Sequence, residues 1–481
     1  MELKFLGIGS AFQTKLYNTS AFFVEGDVLF LIDCGETTFE QLNSQSFFKD
    51  IKEIYVAFTH THSDHIAGIA KLVDYCNDVL DEPLNIVVPT NSGLYKDILS
   101  LLDIFGITVD KCCFIPPVYL EKHFETFEKV DFLPTFHTVE LANKCYSLLF
   151  DTKDGKVFYS GDSTDTKYIK ELVKSGFDKM YIDVTASIPV AHLDINVLAA
   201  NVPSNLRNKV YCMHFDSQEC LNKAKHLGFN IAKSVSTNLS NIPLSFSYAK
   251  FDNTTLVLNN CNELAFYNLQ QYNLLDGIDT IILMIQDTKA SSVASLGSLL
   301  TYSHFVLKKP LYICNKNIVF NMLRLAKIYG VSETSLVFVD DNITVPIPQE
   351  EKNIYKIFDI VVCKDRKIAT KYVDSSLASE SSWIPLTKEG NYKVTTLNGR
   401  IGYNFANKGT KYVFVDIGDL ILESFDDKDE ICIYQLDYFN FIFKKAIGKL
   451  LFRGNPKTNK KFEKYVKIAK DLDDYQMFVT V

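Results

Sequence analysis

The chain has 481 residues, 47% hydrophobic and 22% charged, which is the balance of a folded globular protein. At roughly 100 to 200 residues per domain it has room for two to four domains. A net charge of −8 gives no general attraction for DNA, and no apolar run is long enough to span a bilayer. The opening MELKFLGIGSAF lacks the order of a signal peptide, and eleven cysteines without a CxxC pair read as reduced thiols, so a cytoplasmic protein is expected.

In chain order, DVLFLIDCG and IKEIYVAF are short β-rich runs, the six-residue loop HTHSDH follows, and IAGIAKLVDYCNDVL has apolar residues at helical spacing. That loop places His60, His62, Asp64 and His65 within six positions of a chain with only nine histidines. Residues two apart on extended chain point the same way, so His60 and His62 can grip one ion while the following turn aims Asp64 and His65 at another. Imidazole and carboxylate suit divalent ions such as zinc, with manganese also accommodated. Further ligands are expected from His137 in PTFHTVE, Asp162 in YSGDSTD and His214 in YCMHFDS, each ending a β-like run, and His192 in SIPVAHLDIN is a weaker candidate. His123 and His226 read as solvated helix residues.

The strand, loop and helix order then returns. IDTIILMIQDTKASSVASLGSLLTYSHFVLKKPLYI lies on IKEIYVAFTHTHSDHIAGIAKLVDYCNDVLDEPLNI without a gap at an offset of 227, and Cys34, Glu36, Phe39, Leu42, Tyr75 and Pro83 all meet identical residues there. A second match sets Tyr146 to Asp162 against Tyr403 to Asp419. The chain therefore reads as an internal duplication, with the join near residues 236 to 250. At the 227 offset His60 meets Asp287, His62 meets Lys289, Asp64 meets Ser291 and His65 meets Ser292, so the second copy has lost the cluster.

The complete HxHxDH signature resembles that of the metallo-β-lactamase superfamily. Within it, FLGIGSAFQTKLYNTSAFFV, IDCGETTFEQL, YSGDSTD, AHL and MHF are similar to motifs of the ribonuclease Z branch and its phosphodiesterase relatives. The resemblance implies an α/β chain of two tandem metallo-β-lactamase-like αββα sandwiches forming an intramolecular pseudo-dimer. The catalytic domain is expected over residues 1–240 and a degenerate copy without metal ligands over 246–481. It implies two divalent ions, one held by His60, His62 and His137 and the other by Asp64, His65 and His214, with Asp162 bridging. Asp64 and His192 take the catalytic roles, the latter at the scissile phosphate.

Only 25 residues separate His137 from Asp162, too few for the long tRNA-gripping arm that ribonuclease Z carries there. This moves the expected substrate towards cyclic or other small nucleotides, with RNA 3′ ends retained in the class. Two alternatives stand beside it: a hydrolase of thioesters or lactones, and a metal-binding partner protein with vestigial activity. A Ser-rich stretch before Asp419 reads as a possible lid, and the basic run Lys457 to Lys464 as a solvated helix flank.

Overall fold

The computed structural model describes residues 1–239 and, except for 247, 252–253, 259, 284, 286 and 314–317, residues 246–338; beyond these it describes only the backbone of short strands between Ile354 and Ile468. The first half is built on two six-stranded sheets. One runs in sequence order through β1 (Lys4–Gly7), β2 (Ser20–Glu25), β3 (Val28–Ile32), β4 (Glu53–Ala57), β5 (Leu84–Val87) and β6 (Cys112–Ile115). The other runs through β7 (Phe127–Thr135), β8 (Cys145–Thr152), β9 (Gly155–Tyr159), β10 (Lys179–Asp183), β11 (Val210–Met213) and β12 (Asn230–Ile231).

The strands VLFLI and EIYVA are apolar on both faces because both faces are covered. Successive side chains alternate. Phe30, Ile32, Tyr55 and Ala57 join Phe150, Val157 and Met180 in the core between the two sheets. Leu29, Leu31, Ile54 and Val56 turn to the other face and pack with helix residues such as Ile69, Leu72 and Leu101. This outer core continues into the second half through Leu256, Ile281, Leu283 and Leu299.

The second half repeats the first sheet through β13 (Tyr248–Phe251), β14 (Thr255–Leu258), β15 (Thr280–Leu283), β16 (Leu311–Ile313) and β17 (Leu336–Phe338). The first pair is antiparallel and the rest parallel, as in β2 to β6. The offset of 227 holds in three dimensions: the helix Ser63–Ile66 corresponds to Ala290–Val293, and left-handed Asp81 (φ 56) to left-handed Lys308 (φ 55). A further six-stranded sheet begins at Trp383–Thr387. There Arg400–Phe405 is antiparallel to Tyr412–Val415, which is parallel to Lys449–Phe452, the pattern of β8, β9 and β10. The chain is thus α/β, with the sheets of two tandem αββα sandwiches. The expected join overlaps residues 240–245, and Asp419, the Ser-rich stretch 372–382 and the run 457–464 also lie outside the described residues.

The two halves meet as the subunits of a two-fold dimer do, some contacts recurring with the roles exchanged. The Thr61 hydroxyl donates to the Ile328 carbonyl, and Thr288, its counterpart at the 227 offset, donates to the Ile104 carbonyl at 3.1 Å. Lys71 pairs with Glu263 at 2.7 Å, while their counterparts Ser298 and Glu36 face each other across the same junction. Among the described residues no helix is long and apolar enough to cross a membrane, and the eight described cysteines are free, seven of them buried.

Candidate metal centre

The predicted residues come together at the strand ends of the first half. His60 and His62 follow β4, with Asp64 and His65 on the short helix Ser63–Ile66; His137 follows β7, Asp162 follows β9, and His214 follows β11 in a left-handed conformation (φ 55). His60, His62, His137 and Asp162 offer ligand atoms lying within 4.8 Å of one another, as do Asp64, His65 and His214. Asp162 joins the two groups. Its Oδ2 lies 3.3 Å from His65 Nε2, 3.4 Å from His214 Nε2, 3.7 Å from His137 Nε2 and 3.8 Å from both His60 Nε2 and His192 Nδ1.

Outer hydrogen bonds fix which nitrogen of each ring faces inward. His65 Nδ1 donates to Asp33 Oδ2 at 2.9 Å, and the Thr59 hydroxyl donates to the same oxygen at 2.8 Å. That leaves the Thr59 oxygen to accept from His60 Nδ1 at 3.0 Å, while His137 Nδ1 donates to the Ala191 carbonyl at 2.6 Å. All three rings therefore turn Nε2 towards the centre. His62 turns the other way, with Nδ1 3.0 Å from His137 Nε2. This close approach, together with His60 Nε2, Asp162 Oδ1 and His214 Nδ1 buried without hydrogen-bond partners among the described residues, gathers polar atoms that suit a cation.

The electrostatics point the same way. Burial, with neighbouring imidazoles adding to it, pushes His60 and His137 well below the ordinary histidine range and His62 down to about 4, so these rings are neutral and able to ligate. Burial would raise Asp64 and Asp162, but the surrounding histidines outweigh it and keep both carboxylates ionised. His192 stands at the edge of the cluster with Nδ1 3.1 Å from Asp183 Oδ2. Burial presses it towards neutrality, and the Asp183 hydrogen bond together with the charges of Asp162, Asp183 and Asp64 outweighs this and raises its pKa.

Three carboxylates that the sequence reading did not single out hold this arrangement. Asp33 orients His65 and Thr59, and Asp183 orients His192. Asp216 accepts from the backbone of Ala186 and Ser187, each at 3.1 Å, and from the Thr185 and Ser187 hydroxyls, fastening the loop that leads to Ala191 and His192. Asp33 and Asp183 sit at the ends of apolar strands, LFLID and MYID, where a buried carboxylate has no reason to be unless it serves a neighbour. His123 and His226 are exposed helix residues away from the cluster.

Residues 1–234 match the family described as "Anti-Pycsar protein Apyc1". Relatives include Apyc1 proteins from Bacillus phage BSP38, 28% identical over 234 residues (44% of this chain and 88% of that protein), and from Paenibacillus harenae, 29% identical over 233 residues (45% and 90%). A ribonuclease Z from Natronomonas pharaonis is 36% identical over 107 residues, covering 21% of this chain and 33% of that protein. Among solved structures, the metallo-β-lactamase-fold protein YhfI from Bacillus subtilis covers 49% of this chain and 97% of its own at 18% identity and a TM-score of 0.39. The His and Asp cluster offers the donor set of a divalent-metal site.

Proposed function

We propose that residues 1–240 form a catalytic domain that hydrolyses cyclic or other small nucleotide phosphodiesters, and that residues 246–481 form a degenerate partner domain without metal ligands. His60, His62 and His137 hold one divalent ion and Asp64, His65 and His214 a second, with Asp162 between them; zinc suits this set best and manganese next. The observation that carries the reading is the convergence of five imidazoles on one oxygen of Asp162.

Divalent ions in such a site supply Lewis acidity to a phosphoryl oxygen and make water acidic enough to attack near neutral pH. The chain's own groups do the rest. Asp64, ionised and 3.3 Å from His214 Nε2, takes up the proton of the attacking water. His192, held through Nδ1 by Asp183, presents Nε2 to the leaving oxygen and gives it a proton. That acid is what a phosphodiester with an alkoxide leaving group needs, and it favours this chemistry over thioester or lactone hydrolysis.

Two features support a compact substrate over tRNA. The interval from His137 to Asp162 is occupied by β8 and β9, which leaves no arm. Phe136 and Val190, 45% and 82% exposed, flank His137 and His192 in the chain and offer apolar surface suited to a nucleobase. The test is hydrolysis of 3′,5′-cyclic nucleotides and of a 3′-extended tRNA precursor by the zinc- or manganese-loaded protein, in parallel with His62→Ala. Metal-dependent opening of the cyclic nucleotides, lost in the variant, is expected; cleavage of the precursor alone, or of neither, overturns the proposal.

A further inference from the structure

Three consecutive residues of the metal-binding loop are touched by the second half. The buried Thr61 hydroxyl donates to the carbonyl of Ile328, the last residue of the helix Val319–Ile328. Ser63 Oγ meets Ser298 Oγ at 2.8 Å, and the backbone of Gly297 comes so close that a Cβ there would lie 2.7 Å from Ser63 Oγ. Between them, Gly330 packs on His62: a Cβ on Gly330 would stand 3.1 Å from His62 Nε2 and 2.7 Å from Leu141 Cγ.

His62 needs such support. Hydrogen bonds to the outward nitrogens orient His60, His65 and His137. Among the described residues no hydrogen bond fixes His62 Nε2, and the ring is kept with Nδ1 towards His137 Nε2 by what packs behind it. We propose that the second half braces the metal-binding loop, the turn Ile328–Gly330 holding the His62 ring in its ligating orientation through Thr61 and Gly330, which act as positioning residues. The duplicated half, having lost its own ligands, thus serves as the template on which the remaining set is assembled. This rests on the reading of His62 as a ligand.

The fold provides a matched control. Gly106 ends the helix Gly93–Phe105 in the same left-handed conformation as Gly330 (φ 76 against φ 65), but a Cβ added there meets nothing within 4 Å. Gly330→Ala and Gly106→Ala therefore share the backbone strain and differ in the contacts with His62 and Leu141, so that Thr61→Val, which leaves Leu141 untouched, isolates the brace on the loop. Zinc affinity and stoichiometry are measured on the full chain by competition with a chromogenic chelator and by elemental analysis. Gly330→Ala and Thr61→Val are expected to weaken one of two zinc sites by about 10-fold or more, with Gly106→Ala leaving both unchanged. Wild-type affinity in both brace variants, or an equal loss in Gly106→Ala, overturns the proposal; if Gly330→Ala does not fold, Thr61→Val decides. His62→Ala is included, because retention of two tight zinc ions there would mean that the ligand assignment, and not the brace, has failed.

Discussion

Asp33→Asn tests whether the outer carboxylates set the metal centre. In the wild type one carboxylate meets three donors: Oδ1 accepts from Thr59 N at 2.7 Å, and Oδ2 accepts from the Thr59 hydroxyl at 2.8 Å and from His65 Nδ1 at 2.9 Å. Asparagine has a single acceptor oxygen. If it keeps the backbone amide, its NH2 faces His65 Nδ1, and the neutral ring can satisfy that donor only by moving its proton to Nε2. Nε2 is the atom that lies 3.3 Å from Asp162 Oδ2, 3.3 Å from His214 Nε2 and 3.5 Å from Asp64 Oδ2, so the proton would occupy the ligating position. The opposite amide orientation spares His65 but sets an NH2 against the buried Thr59 N–H. Either way one strong bond is exchanged for a conflict of about 1.5 to 3 kcal/mol, a weakening of metal binding on the order of 10- to 100-fold. Calorimetric zinc titration together with the ¹⁵N shifts of the His65 ring reads both consequences. Wild-type zinc affinity with Nδ1 still protonated would refute the reasoning.

Asp162→Ala should abolish turnover, by more than about 10³-fold, whereas Asp419→Ala in the second copy should leave it nearly intact; steady-state assays with equal losses would remove the division of labour between the halves. Asp183→Asn should lower kcat roughly 10²-fold with zinc content unchanged. Because the Asp183 hydrogen bond and charge are the largest of the influences that hold His192 above its ordinary range, the alkaline limb of the pH–rate profile should move to lower pH, and an unmoved limb would exclude His192 as the acid. Glu36 is buried at the junction of the halves, with Oε1 lacking a hydrogen-bond partner among the described residues, and burial raises its pKa from 4.5 to about 8. A raised carboxyl favours the folded chain fully below the unfolded value and loses that advantage as pH climbs to the folded one. Stability should therefore fall between those limits by at most about 1.4 kcal/mol per pH unit. Glu36→Gln should flatten that decline in urea unfolding at pH 5.5 and 8 (~2.5 units apart), and identical pH dependence in both proteins would contradict it.

The sequence by itself determined whatever depends on local pattern. Short β-rich apolar runs marked β3 and β4, and the spacing of HTHSDH marked the ligand loop. The offset of 227 fixed the duplication so closely that Asp81 and Lys308 share a left-handed turn. His137, Asp162 and His214 stood out only because each ends a β-like run in the half that keeps the cluster, with His192 weaker still, and the resemblance rather than spacing gave each its role. Tertiary structure alone decided that these residues, spread from position 60 to 214, meet at one oxygen of Asp162, since the order of strands in two facing sheets sets that convergence and no short window contains it. It also decided which unremarked carboxylates orient the rings, and that a helix end from the second half stands behind His62. A hydrogen bond such as Thr61 to Ile328 joins residues 267 positions apart, and only the packing of one half on the other brings them within reach.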